Sequence, residues 1–150
     1  MSNVQSYKTA MSRKGPSAPL RFLETKGFLS GSILDYGCGK GADLKFLNNS
    51  GYHAIGYDPH WLPNDIGKKT FDTILCTYVL NVVTDSEASL IINKISSHLS
   101  SNGKAFLTVR RDIKKDGFTS RGFQRNVKLN YEVIKQNSNF CIYSFSKQIK

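Results

Sequence analysis

Apolar positions along this chain change period several times, and each change marks an element. The first fifteen residues are polar and aperiodic, which reads as an arm or loop. Ser17 can then cap a helix with Pro19 in its first turn, where a missing amide donor does no harm. Leu20, Phe22 and Leu23 face inward, and Gly27 stops the helix. Ser32–Asp35 (Ser-Ile-Leu-Asp) is a short buried strand that runs into a glycine-rich turn. Ala42–Asn49 reads as a helix closed at Ser50-Gly51, and His53–Asp58 as a second strand. Residues 59–70 hold two prolines and a glycine and form a loop, so no strand is recognisable there. Phe71–Thr77 is a further strand. Thr84 and Glu87 have capping-box spacing ahead of an inward stripe of Ala88, Ile91, Ile92, Ile95 and Leu99. Asn102-Gly103 reads as a turn into a buried strand at 104–109, and the basic stretch 110–126 as loop. Asn126–Lys135 and Phe140–Lys147 then form a closing antiparallel hairpin. Alternating strands and helices with such a hairpin predict an α/β fold: a mostly parallel sheet flanked by helices, compact, with a reduced third-strand region.

A chain of 150 residues is a one-domain length, so 1–150 is read as a single domain with 1–15 as its arm. No apolar stretch approaches the roughly 18–20 residues a membrane span needs, and the N-terminus lacks the apolar core of a signal peptide. Cys38, Cys76 and Cys141 are an odd number without a Cys-x-x-Cys pair. They argue against a disulfide scaffold or a metal site and for a reducing, cytoplasmic setting. The net charge of +10 is uneven. Residues 1–26 carry five basic side chains against one acidic, 27–103 five against seven, and 104–150 eleven against three. Basic ends around an acidic middle suit an anionic partner, with nucleic acid the first candidate.

The chemistry concentrates at Asp35-Tyr-Gly-Cys-Gly-Lys-Gly41, between a strand and a helix. Gly37, Gly39 and Gly41 let backbone approach a ligand closely, and the helix start offers free amide donors. Asp58, seventeen residues beyond Gly41, ends the next strand, where a carboxylate can accept hydrogen bonds from both ribose hydroxyls of a nucleoside ligand. A nicotinamide-binding domain is the nearest competitor, but its third glycine would come one residue later.

This constellation resembles motifs I and II of the class I S-adenosylmethionine-dependent methyltransferases. Phe71–Leu75, Tyr78–Val83 and Ser100–Leu107 resemble their fourth strand, the turn after it and the approach to the next strand. The resemblance implies a Rossmann-like class I methyltransferase fold that uses S-adenosylmethionine and releases S-adenosylhomocysteine. It implies that Gly37, Gly39 and Gly41 line the methionine end, that Asp35 holds its amino group and that Asp58 binds the ribose. Tyr36, Cys38, Pro59 and Thr77 join that cofactor set, and Asp65 or Ile66 is expected beside the adenine. Lys8–Arg21, Leu34–Asp43, Gly56–Pro59 and Tyr78–Val83 are more narrowly similar to the methyltransferases associated with DNA phosphorothioation systems. That similarity suggests a DNA-linked setting without fixing the acceptor.

Tyr78 and Asn81 follow the strand near the expected position of the methyl group and are the candidate catalytic residues. The Pro-Pro-aromatic segment of amino-directed DNA methyltransferases is missing at Thr77–Leu80, which demotes exocyclic-amine methylation. Cys76 lacks the neighbouring proline expected of a pyrimidine carbon-5 nucleophile. Trp61 could stack on a base, and Arg110 with Arg111 could take phosphate. Arg13, Lys14, Arg21, Arg121 and Arg125 could extend that patch. Small-molecule methylation and a non-catalytic cofactor-binding module remain the alternatives.

Overall fold

A computed structural model describes residue 10 and residues 13–147. A six-stranded sheet in the order β2-β1-β3-β4-β8-β7 forms the centre. Its strands are β1 (Ser32–Tyr36), β2 (His53–Tyr57), β3 (Phe71–Thr77), β4 (Leu99–Arg110), β7 (Glu132–Gln136) and β8 (Phe140–Ser146). The first four run parallel, while β8 pairs antiparallel with both β4 and β7. The helices are α1 (Ala18–Thr25), α2 (Ala42–Asn49) and α3 (Asp85–Ser97).

Alternation along the strands sorts the core into two layers. Ile33, Leu75, Phe106 and Ile142 pack with Leu20 and Leu23 of α1 and Leu47 of α2. Leu34, Ile74, Leu107 and Tyr143 face the other way, against Ala88 and Ile95 of α3 and Leu80 and Val83. This is the mostly parallel, helix-flanked Rossmann-like arrangement with a closing antiparallel pair. Ser17 caps α1 by accepting from the Leu20 amide, and Thr84 and Glu87 form a complete capping box on α3.

Four local expectations are corrected. Asn102-Gly103 is no turn: β4 starts at Leu99 and is irregular there, with the register against β3 shifting between Phe71 and Thr73. A Cβ on Gly103 would lie 2.8 Å from the Phe71 carbonyl oxygen, so glycine permits the close approach. Leu99, read as part of the helical stripe, is therefore the first residue of a strand. The basic stretch contains a small hairpin, β5 (Gly117–Thr119) with β6 (Gly122–Gln124). Finally, β7 starts only at Glu132 because Asn126 is held in a loop, its side chain bonded to Ile113 O and Asp116 Oδ1.

Among the described residues no strand lies between β2 and β3; an isolated bridge joins Asp58 to Leu62. No helix among them is long and apolar enough to cross a membrane, and no cluster of His, Cys, Asp and Glu could hold a metal ion.

Candidate active site

Parallel strands deliver their C-terminal ends to one rim, and a cavity of about 780 Å³ opens there. The glycine turn, Tyr57–His60, Thr77–Val79, the short 3-10 turn Leu80–Val82 and one flank of α3 make its walls. Of the cofactor set, Tyr36, Gly37, Cys38, Gly39, Gly41, Asp58, Pro59 and Thr77 all line it. Gly37 has φ +80°, and a Cβ there would sit 2.4 Å from Val79 Cγ2. The turn thus closes on Val79, two residues beyond β3, only because side-chain atoms are missing.

Asp35 stands beneath the turn, 4% exposed, on a small side cavity of about 30 Å³ shared with Arg13, Gly37, Cys38, Asp43 and Thr77. Burial, then the neighbouring Asp43 and Asp58 carboxylates, push its pKa up to about 8, with Arg13 opposing. No hydrogen bond to its carboxylate is present among the described residues. A buried acid in that state needs a cation or a donor.

Asp58 is already engaged. Its Oδ2 accepts from the Gly39 amide and its Oδ1 from the His60 and Trp61 amides, each at 2.9 Å. A carboxylate offers about four acceptor positions, so roughly one is left for a ligand hydroxyl. The expectation that Asp58 takes both ribose hydroxyls is reduced accordingly.

Asp65 does not line the cavity: it is exposed and accepts from the Gly67 amide in a tight turn. Ile66 is buried in the core beside α3. Instead, Val79, Val82, Val83, Leu90 and Ile91 supply an apolar wall, and Glu87 and Lys94 of α3 reach it too. Sequence patterning assigned those α3 residues to core or solvent, because helical period does not tell a core face from a cavity wall.

Tyr78 has φ +63°, an unusual conformation for a residue with a side chain, and its amide donates to Thr108 O. Backbone strain of this kind persists where surrounding structure enforces it, commonly at functional sites. Burial raises the pKa of its phenol. Asn81 is a different matter. Its Oδ1 accepts from the Arg110 amide at 2.7 Å, and its Nδ2 donates to the carbonyls of Arg110 and Arg125 at 3.4 and 3.0 Å. Asn81 lines the cavity, and its side chain ties the end of β4 to the segment after β6. Asn81→Ala should lower stability by about 2–3 kcal/mol, the scale of an orphaned buried donor plus lost bonds. Urea titration checks this; an unchanged midpoint with lost activity would restore a catalytic role.

The arginine patch also dissolves on inspection. Arg110 is bidentate on Asp112, at 2.9 and 3.0 Å. Arg111 donates to the Asn137 carbonyl, and Arg125 bonds Val83 O and Asp85 Oδ1. Lys14 and Arg21 are exposed and Arg121 sits at the β5–β6 tip, none of them lining the cavity. Trp61 is half-exposed outside the cavity wall, with Lys40 Nζ 5.2 Å from its ring centroid. Cys76 is fully buried, and burial drives its thiol pKa far up, unlike an activated nucleophile. Of the patch, Arg13 and Arg110 wall the cavity.

Residues 7–144 match the family described as a methyltransferase domain. The chain belongs to that family. It carries an S-adenosylmethionine-dependent methyltransferase domain of Rossmann-like type. Among solved structures it is similar to TehB from Haemophilus influenzae, with 15% identity, TM-score 0.65 and coverage of 91% of this chain and 64% of that one. It is similar to a TehB-like S-adenosylmethionine-dependent methyltransferase from Corynebacterium glutamicum, with 17% identity, TM-score 0.59 and 86% of each chain covered. A third similarity is to the 1,6-didemethyltoxoflavin-N1-methyltransferase of Burkholderia thailandensis, with 12% identity, TM-score 0.65 and coverage of 88% and 78%. This methyltransferase domain spans 57% and 64% of the length of two of the first three structures it resembles. No curated protein sequence matches it significantly.

Proposed function

We propose that this chain transfers the methyl group of S-adenosylmethionine to a small-molecule acceptor held in the same cavity as the donor. The observation that carries this reading is the open cavity of about 780 Å³ with mixed walls: apolar on the α3 side, polar towards Tyr78, Arg110, Asp112 and Gln124. That size is in the range of small-ligand sites and leaves room for donor and acceptor together. The residues fit the donor. Asp35 is the acceptor for its ammonium, Asp58 offers its remaining position to the ribose, and Pro59 with Val79 and Val82 flanks the adenine. When bound, S-adenosylmethionine supplies an electrophilic methyl group on a sulfonium. The protein's part is to orient the acceptor in line with it and to exclude water. Tyr78, fixed in its strained conformation after β3, is the wall that sets the acceptor's distance.

A nucleic-acid acceptor is the second reading, favoured by Phe118, 80% exposed on the β5–β6 hairpin whose turn carries Arg121. It ranks behind because Arg110, Arg111 and Arg125 are committed to partners within the chain. The three unpaired thiols support a reducing compartment such as the cytoplasm.

Incubation with radiolabelled S-adenosylmethionine and separate pools of cell metabolites, DNA and tRNA tests the acceptor. Label is expected in the metabolite pool alone. Label in DNA or RNA reverses the ranking, and cofactor binding without transfer into any pool makes the domain a binding module.

A further inference from the structure

The first turn of α3 carries a carboxylate that its local role does not use up. In the capping box the glutamate's share falls on one oxygen: Glu87 Oε1 accepts from the Thr84 amide and from the Thr84 hydroxyl, each at 3.0 Å. The other oxygen, Oε2, is buried and has no hydrogen-bond partner among the described residues. Glu87 as a whole is 6% exposed, and it lines the main cavity. A capping box needs a single acceptor atom here and is served as well by glutamine. The second oxygen and the negative charge are therefore surplus to the helix.

Among the described residues no cation of the chain answers that charge. Arg110 pairs with Asp112 and Arg125 with Asp85, and neither reaches Glu87. Lys94, on the same flank of the cavity, lies seven residues further along α3, about 10 Å along the helix axis. Arg125 has a second effect. Its amide donates to Asn81 O at 2.8 Å and its Nε to Val83 O, which clamps the end of the β5–β6 hairpin against the start of α3. Gln124, the residue before it, thereby reaches the cavity, whose α3 wall is Val83, Leu90 and Ile91. A buried carboxylate among apolar side chains is costly until a cation or donor meets it. A ligand that completes this end of the cavity has an apolar body and a positively charged nitrogen.

On the small-molecule reading above, we propose that Glu87 is the specificity residue for the methyl acceptor, and that the acceptor is an amine-bearing molecule with an apolar body. Its ammonium meets Glu87 Oε2, and its apolar part lies on Val83, Leu90 and Ile91. The terminal torsion of a glutamate is broad, which lets the carboxylate aim this oxygen at the ligand. A protonated nitrogen has no lone pair to take a methyl group. The ammonium is therefore a handle, and the atom methylated is a different one, presented to the donor past Tyr78. There the sulfur–methyl bond breaks with its electron pair to sulfur, the acceptor atom's lone pair forms the new bond, and any proton on that atom leaves to solvent. Glu87 holds the acceptor and takes no part in the bond exchange.

The capping box makes the test clean, because Glu87→Gln keeps the cap and removes the charge. Urea titration should give this variant a native midpoint, and calorimetry a native affinity for S-adenosylhomocysteine. Cell metabolites are split by cation exchange at neutral pH, and each fraction is then incubated with radiolabelled S-adenosylmethionine. With the native protein, label should enter the products of the retained, cationic fraction. Glu87→Gln should lower that transfer about tenfold or more, the scale of a lost charge-assisted contact. Label confined to the unretained fractions, or equal transfer by both proteins, overturns the proposal and leaves the small-molecule reading standing. Weaker S-adenosylhomocysteine binding by Glu87→Gln would assign the oxygen to the donor, and a fallen urea midpoint would assign the charge to the fold; either overturns it too. Label in no metabolite fraction sinks the small-molecule reading itself, and this inference with it.

Discussion

Asp35→Asn should be easier to keep folded than the native protein at pH 8 and should have lost most of its affinity for S-adenosylmethionine. Both halves follow from one buried acid. Its pKa is raised in the folded state from 3.8 to about 8 by burial first, then by Asp43 and Asp58. A raised acid favours the folded state at low pH, where it is protonated in both states. That advantage is lost as pH climbs between the unfolded and folded values, at up to about 1.4 kcal/mol per pH unit. Thermal melts of the native protein should therefore decline from roughly pH 4 to pH 8 relative to Asp35→Asn, in which this slope is gone. Binding shows the opposite sign. The ligand's ammonium needs the carboxylate, so native affinity should rise with pH towards 8 and binding should release a proton, as long as the ammonium stays protonated. Calorimetry in buffers of different ionisation enthalpy reads that proton directly. Asp35→Asn should bind about 100-fold or more weakly, the scale of a lost buried charge pair, with no such pH dependence. A variant with native affinity and a native pH profile would place the ammonium elsewhere.

Gly37→Ala is expected to be the most damaging single methyl in the site. The added Cβ meets Val79 Cγ2 at 2.4 Å in a backbone with φ +80°. The backbone contributes about 1–2 kcal/mol and the overlap about 1–3 kcal/mol. Together they should lower the melting temperature by several degrees, at about 2–4 °C per kcal/mol for a chain near this size. Because Val79 also lines the cavity, cofactor binding should fall with it. The two contributions separate in a double variant. Val79→Ala removes the atom in the way, so Gly37→Ala in that background should recover the overlap and retain the backbone cost. Purely additive losses would show that the clash is not the cause.

The gathering of the glycine turn and the strand ends at one cavity was legible in the sequence because glycines and strand ends act locally. A glycine needs only its own dihedral and its nearest neighbours, and a strand end carries its side chains to a fixed rim. Eight of the expected cofactor residues meet at the cavity for that reason. The arginines were not legible. Their charge shows in the sequence, but whether a guanidinium faces solvent or Asp112, Asn137 O or Val83 O depends on loop paths that no periodicity encodes. The ties that Asn81 makes were hidden for a related reason: its partners, Arg110 and Arg125, are 29 and 44 residues away. The Asn102-Gly103 pair has turn composition, yet pairing of β4 with β3 holds it in the sheet. The three-residue strands of the hairpin are too short for alternation to register. Asp65 was misplaced because the loop from 59 to 70 bends back through the Asp58–Leu62 bridge instead of passing the cavity.

The position of β8 has a consequence for the order of assembly. Although it follows every other strand in sequence, it lies inside the sheet, between β4 and β7. Until residues 140–146 arrive, β4 presents an open edge and β7 has no neighbour at all. During synthesis the parallel half can form early. The sheet can close only once its last strand has left the ribosome, and a nascent chain held short of that point would carry an unsatisfied, sticky strand edge.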